Sequence, residues 1–247
     1  VPQAEVEWSL LSDELLTRAT RATAGDLPRM PGWKYTATMD PATRTNAWTL
    51  VVAGQDPTGK RHVVLAREWV PKPGEPLKPE VVLADIKSYI ATYGLRRIIT
   101  DQLAVDALRA VLRLMPADKR VILQEEPWTP TTKKVAYDHL LKLAQDDRLG
   151  LPLDKTVKVD LLGIRKRITR TGVTYELATQ GARHSDYAPA VAHAVADARY
   201  AGKEQEPDVD EAEREKRAKV KFLEARQKER ERAAKHGPLP VTHRKVK

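Results

Sequence analysis

Three stretches of the chain alternate apolar and polar positions with the β-branched content of strands: residues 33–39, 47–54 and 61–70. Short turns separate them, so they predict an antiparallel three-strand meander. Upstream, apolar residues at helical spacing over 7–22 predict a helix, with Ser12, Glu14 and Leu15 placed to start one within that window. The period then changes. Residues 80–93 repeat apolar positions every 3.6 residues, and 95–101 read as a short buried strand that ends on Asp101. A helix is predicted over 102–115, a strand over 120–125, and a helix over 129–149 that has Pro130 early and a Thr-rich start. A meander followed by helix–strand alternation predicts an α/β fold: a mixed sheet, antiparallel first and parallel later, with helices on both faces.

Residues 153–181 predict a short helix and then a hairpin turning at Thr171-Gly172. Its first strand carries Arg165, Lys166, Arg167 and Arg170. The alanine-rich stretch ARHSDYAPAVAHAVADARYAG, residues 182–202, predicts a closing helix. Beyond Gly202 the chain is acidic first and basic later, with few apolar positions and no sustained heptad. The expected organisation is a linker or helix remnant over 1–30, one domain over 31–202, and a charged helix or tail over 203–247.

An apolar content of 41% supplies a core, built from Ala, Val, Leu and Ile because aromatics make up only 5%. Cysteine is absent, which removes disulfides and cysteine–zinc sites and fits a reducing compartment. No stretch approaches the roughly 18 apolar residues of a membrane span, so a soluble intracellular protein with no membrane partner is expected. The chain begins on Val1 and reads as a fragment of something longer. A net charge of +9 points to an anionic partner, most simply nucleic acid.

One motif misleads. Residues 54–61, GQDPTGKR, match the opening of a phosphate-binding loop, but Arg61 stands where Ser or Thr should hold magnesium, and the loop joins two strands. No ATPase site is expected here. The histidines lack zinc spacing: His184 and His193 are nine apart, and His62 and His139 stand alone. The acids say more. Asp40 ends the first strand, Asp101 ends the strand expected to lie parallel beside it, and Asp186 starts the last helix. Strand ends in such sheets collect at one edge, where ligands bind. Three converging carboxylates raise one another's pKa unless divalent metal neutralises them, and oxygen-only ligation favours Mg2+ or Mn2+. Two such ions suit phosphodiester cleavage. Each acid alone also fits turn or cap chemistry.

Four ordered stretches, TATMDPAT, RRIITDQLAVDAL, TPTTKKVAYDHLLKLAQDDRLGLP and RHSDYAPAVAHAVADA, resemble the nuclease domain of tailed-phage terminase large subunits, a member of the RNase H-like superfamily. The resemblance covers about residues 30–202 and implies a metal-dependent endonuclease that cuts concatemeric viral DNA in the host cytoplasm. It places Asp40, Asp101 and Asp186 on the family's metal-binding acids. His184 falls in the metal-site neighbourhood, suited to proton transfer, phosphate contact or packing. Lys133 and Lys134 match a position where a basic residue faces the scissile phosphate. The implied partners are double-stranded DNA, the portal, the small terminase subunit and an ATPase domain of the full-length protein. Two departures stand out: Asn46 and Ser185 occupy places where many relatives carry acids. Fewer carboxylates imply a weaker second metal site, one filled when DNA adds its phosphate oxygens.

Arg165, Lys166, Arg167 and Arg170 are the candidate DNA contacts, because alternate residues of one strand can track a phosphate backbone; Arg183 is grouped with them. A junction resolvase, a transposase core or a non-cleaving DNA-binding module would share much of this pattern. The closing helix carries a geometric expectation: Ser185 caps it, and Asp186 in its first turn reaches the edge where Asp40 and Asp101 lie, close enough for the three to share one or two metal ions.

Overall fold

The computed structural model describes residues 6–44, 46–101, 109, 112, 121–169, 172–178 and 185–197. All of them belong to a compact unit, Val1–Glu204. The expected tail over 203–247 lies outside the described residues, as do most of the helix expected over 102–115, Arg170, Arg183 and His184.

The expected meander is present as β2 (Lys34–Asp40), β3 (Trp48–Gln55) and β4 (Arg61–Trp69), paired antiparallel in sequence order. Seven of the eight β3 residues are buried, because this strand is covered on both faces. The misleading GQDPTGKR stretch forms the turn between β3 and β4, where Asp56 N–H donates to the Lys60 carbonyl at 3.0 Å. Helix α2 (Pro79–Tyr93) starts on a proline and ends at Gly94, whose φ of 64° closes the helix in the left-handed region. Strand β5 (Arg97–Thr100) then pairs in parallel with β2, and β6 (Ile122–Glu125) in parallel with β5. Helix α3 (Pro130–Gln145) is capped by Thr129, whose hydroxyl accepts the Thr132 N–H at 3.2 Å. The two-residue β7 (Leu149–Gly150) pairs in parallel with β4. The main sheet therefore runs β6-β5-β2-β3-β4-β7.

Alternation along β2 and β3 sorts the two cores. Ala37, Met39, Leu50 and Val52 face α2, packing with Val82, Leu83, Ile86 and Ile90. Val51 and Ala53 face the opposite way, into a second core with α3, α4 (Lys155–Leu162) and α5 (Tyr187–Asp197). Helices thus cover both faces, as the periodicity predicts. No helix among the described residues is long and apolar enough to cross a membrane.

The N-terminal segment departs from expectation. Residues 6–22 do not form one helix; Val6–Ser9 is a strand, β1, and Asp13–Ala19 is helix α1, capped by Ser12. Nor is the segment a linker beside the domain. Leu11 and Leu16 are fully buried in the second core, and Leu27 N–H donates to the Val64 carbonyl at 2.9 Å. Strand β1 pairs antiparallel with β8 (Ile164–Thr169), which pairs with β9 (Gly172–Leu177), so the expected two-stranded hairpin is the larger part of a three-stranded sheet.

Candidate active site

Register builds the site. Met39 lies opposite Thr100 across the parallel β2–β5 pair, which sets Asp40 and Asp101, the next residue of each chain segment, side by side at one edge of the sheet. Thr36, Thr38 and Asp40 share a face of β2, and Thr36 shows which one: its hydroxyl donates to the Ala194 carbonyl of α5 at 3.0 Å. Asp186, on the turn leading into α5, therefore stands on the side toward which Asp40 projects. Its Oδ2 accepts the Ala47 N–H at 3.3 Å, tying it to the start of β3.

The electrostatics agree with that placement. Burial, then the charges of Asp186 and Asp101, push the Asp40 carboxyl up to about 6. Thr49, opposite Asp40 in the β2–β3 register, is fully buried, and its hydroxyl makes no hydrogen bond among the described residues. Asp40 feels the charge of both other acids, yet no three His, Cys, Asp or Glu side chains among the described residues are gathered tightly enough to hold a metal ion unaided. The donor set is nonetheless all oxygen, and no basic side chain among the described residues offsets Asp40, which fits a hard divalent cation better than zinc.

The turn before α5 is built differently from the expected cap. Ser185 adopts a left-handed φ of 53° and donates its hydroxyl to the Ala178 carbonyl at 2.9 Å, so that hydroxyl does not cap the helix, although the Ser185 carbonyl accepts the Ala188 N–H at 3.0 Å. The α5 N-terminus is held by Asp160 of α4, whose Oδ2 accepts the Tyr187 N–H at 3.0 Å. Asp186 accordingly precedes the helix rather than lying in its first turn.

The basic residues are distributed around this edge. Lys133 lies in the first turn of α3, and the segment leading into that helix is anchored beside Asp101 by the Glu126 N–H, which donates to the Thr100 carbonyl at 3.0 Å. Lys134 instead pairs with Asp138, four residues on, and the same carboxylate accepts the Tyr175 hydroxyl. Burial pushes Asp138 up, but these two hydrogen bonds and the nearby charges of Lys134 and Lys166 outweigh it and hold the carboxyl below its ordinary value. On β8, Arg165 and Arg167 share one face, where Arg167 meets Glu176 at 3.3 Å, while Lys166 points to the other, between Trp8 and Tyr175. The base of this strand pair adjoins the acids through the Ser185 bond to Ala178. Asn46 is exposed beside the site.

Two residues escaped the sequence reading. His193 is 7% exposed and packs against Trp128 with the rings tilted by 47°; burial, partly countered by Asp101, pushes it down to about 4. Glu126 follows β6 as Asp101 follows β5, and its carboxylate lies 3.9 Å from His193 Nδ1. The signal for His193 is its place in the closing helix, seven residues after Asp186.

No protein-family model matches the chain, and no curated protein matches it by sequence. Solved structures do. The large terminase of bacteriophage HK97 superposes with a TM-score of 0.62 at 17% identity, over 78% of this chain and 44% of that one. The large terminase nuclease of thermophilic phage G20c gives 0.59 at 17% identity, over 75% and 96% of the two chains. This chain has the fold of a phage large-terminase nuclease. That terminase-nuclease fold is an RNase H-like mixed sheet, and a Thermus phage P74-26 nuclease domain shares it with a TM-score of 0.53 at 18% identity, over 72% and 85% of the two chains. Other structures of the G20c nuclease contain bound magnesium or bound cobalt. The chain spans less than half the length of the HK97 protein, 44% of it.

Proposed function

We propose that this chain is a divalent-metal-dependent DNA endonuclease of the terminase large-subunit kind, cutting concatemeric viral DNA during genome packaging by two-metal phosphodiester hydrolysis. The observation that supports the reading is that Asp40 ends its strand within electrostatic reach of both Asp186 and Asp101, and is pushed up to about 6 by burial and by their charges. Such an arrangement is costly for a fold and useful for a cation. Asp40, Asp101 and Asp186 would hold Mg2+ or Mn2+, with DNA phosphate oxygens completing a second ion's shell. When bound, the metal supplies the positive charge that lets a carboxylate cluster face a phosphodiester and its attacking water.

The remaining roles belong to the chain's own residues. Lys133 offers a cation to the phosphate from the first turn of α3, and His193, neutral at physiological pH, adds no competing positive charge beside Asp101. Arg165 and Arg167, on one face of β8, bind the duplex backbone, with Lys134, Lys166, Arg170 and Arg183 assisting and His184 serving proton transfer or phosphate contact. Within the packaging machine the expected partners are the portal, the small terminase subunit and the ATPase part of the full-length protein, all in the cytoplasm of the infected host. A module that binds DNA without cutting it is the second reading. It is favoured by the absence, among the described residues, of any three acids or histidines drawn together into a metal-holding group.

Plasmid cleavage decides between them. The wild type should nick and linearise plasmid only with Mg2+ or Mn2+, and Asp101→Asn should remain folded and lose the activity. Cleavage that needs no metal, or that survives the substitution, refutes the nuclease assignment. A binding module would retard DNA without nicking it, and a resolvase would prefer four-way junctions.

A further inference from the structure

Helix α4 carries an irregularity in its buried face. Val157 and Leu161 pack into the core, and Asp160, on the same face, is only 1% exposed. A carboxylate at an apolar helix position is expensive to bury and is kept there only by what it binds. It binds the main chain of the catalytic corner: Asp160 Oδ2 accepts the Tyr187 N–H at 3.0 Å, immediately after Asp186.

The other side of the same turn is also held. Ser185 is 2% exposed and sits in the left-handed region, a conformation that a residue with a Cβ keeps only when its surroundings enforce it. Its hydroxyl donates to the Ala178 carbonyl at 2.9 Å. Gly163, at the end of α4, leaves room for that hydroxyl; a Cβ at this glycine would lie 2.8 Å from Ser185 Oγ. Asp186 is thus the one residue between two fixed points, and its own Oδ2 meets the Ala47 N–H at 3.3 Å.

We propose that Asp160 is a positioning residue for Asp186: its hydrogen bond to Tyr187, opposed by the Ser185 contact over Gly163, aims the Asp186 carboxylate at the edge where Asp40 and Asp101 end their strands. The role rests on the reading of Asp186 as a metal ligand. It is indirect, since Asp160 itself is buried under the turn and acts through main-chain atoms.

Mn2+ binding without DNA tests it, read from the electron paramagnetic resonance signal of free Mn2+ and from the rise in Tm that the metal produces. Asp160→Ala and Gly163→Ala should each weaken Mn2+ binding by about tenfold, whereas Asp160→Asn, which keeps an acceptor oxygen, should stay within about threefold of wild type. Gly163 has an ordinary helical φ of −72°, so an added Cβ presses first on Ser185 Oγ, at 2.8 Å, and second on the Asp160 carbonyl oxygen, at 3.1 Å; this variant serves even where Asp160→Ala fails to fold. Asp186→Asn is the control. If it loses Mn2+ while folded Gly163→Ala binds as wild type, the positioning role is wrong. Asp160→Asn binding as poorly as Asp160→Ala would also overturn it, since the carboxylate charge and not the hydrogen bond would then matter. Asp186→Asn binding Mn2+ like wild type would instead remove the metal-ligand reading beneath it.

Discussion

The His193 imidazole packs on the Trp128 indole with ring centroids 4.1 Å apart, holding the start of α3 against α5 beside the acids. Burial lowers the folded-state pKa to about 4 from 6.5. A group depressed in the folded state contributes stability above its unfolded pKa and loses it as pH falls. The wild type should therefore shed up to about 3 kcal/mol between pH 6.5 and 4 through this residue, at roughly 1.4 kcal/mol per pKa unit. His193→Phe keeps an aromatic ring against Trp128 and should lose less stability over that interval. Urea unfolding of both proteins at pH 7 and 4.5 gives the comparison, and equal losses would mean that His193 is not buried as a neutral ring.

Asp40 has the opposite sign. Its carboxyl is raised to about 6 from 3.8, so its stabilising contribution is complete below pH 3.8 and is lost as pH rises through 6. Without metal at pH 8, the ionised group should cost up to about 3 kcal/mol. Asp40→Asn should accordingly raise the Tm of the protein in EDTA at pH 8, with the gain shrinking toward zero near pH 4, while abolishing cleavage. Thermal melts across that range check the first half and plasmid assays the second.

The β8 arginines should act on binding rather than on chemistry. Replacing Arg165 and Arg167 with Ala should weaken duplex affinity and reduce the slope of log K against log salt by roughly 0.9 for each DNA phosphate that is no longer neutralised. Salt titrations of fluorescently labelled DNA measure both. An unchanged slope would show that these arginines serve the β8–β9 sheet, where Arg167 already meets Glu176.

Leu11 tests whether the N-terminal segment belongs to the domain. It is fully buried between β1 and α1, and Leu11→Ala should cost about 2–5 kcal/mol, the usual range for a core leucine. A linker residue would cost almost nothing. The midpoint of urea denaturation distinguishes the two.

Most of the architecture can be read locally. The β2–β4 meander, the strand leading to Asp101, and the Thr129–Pro130 helix start are written in neighbouring residues, through alternation, β-branching and capping chemistry. Strand β1 was not, because Val6–Ser9 becomes a strand only by pairing with β8, more than 150 residues away. The α5 start was misread for a similar reason. Ser185 and Asp186 look like caps in sequence, but a distant carboxylate, Asp160, takes that role and frees Asp186 to face the sheet edge. The pairing of Glu126 with His193 is not legible in the sequence, because it joins the segment after β6 to a helix more than 60 residues further along the chain.

The parallel pairing of β2 with β5 has one more consequence. The closeness of Asp40 and Asp101 follows from main-chain hydrogen bonds, which are indifferent to the side chains along either strand. Almost every residue before the two acids can then be exchanged for another of suitable polarity without separating them. A corner specified in this way is robust to sequence drift, and natural variation can rework the surrounding core while the reacting groups keep their places.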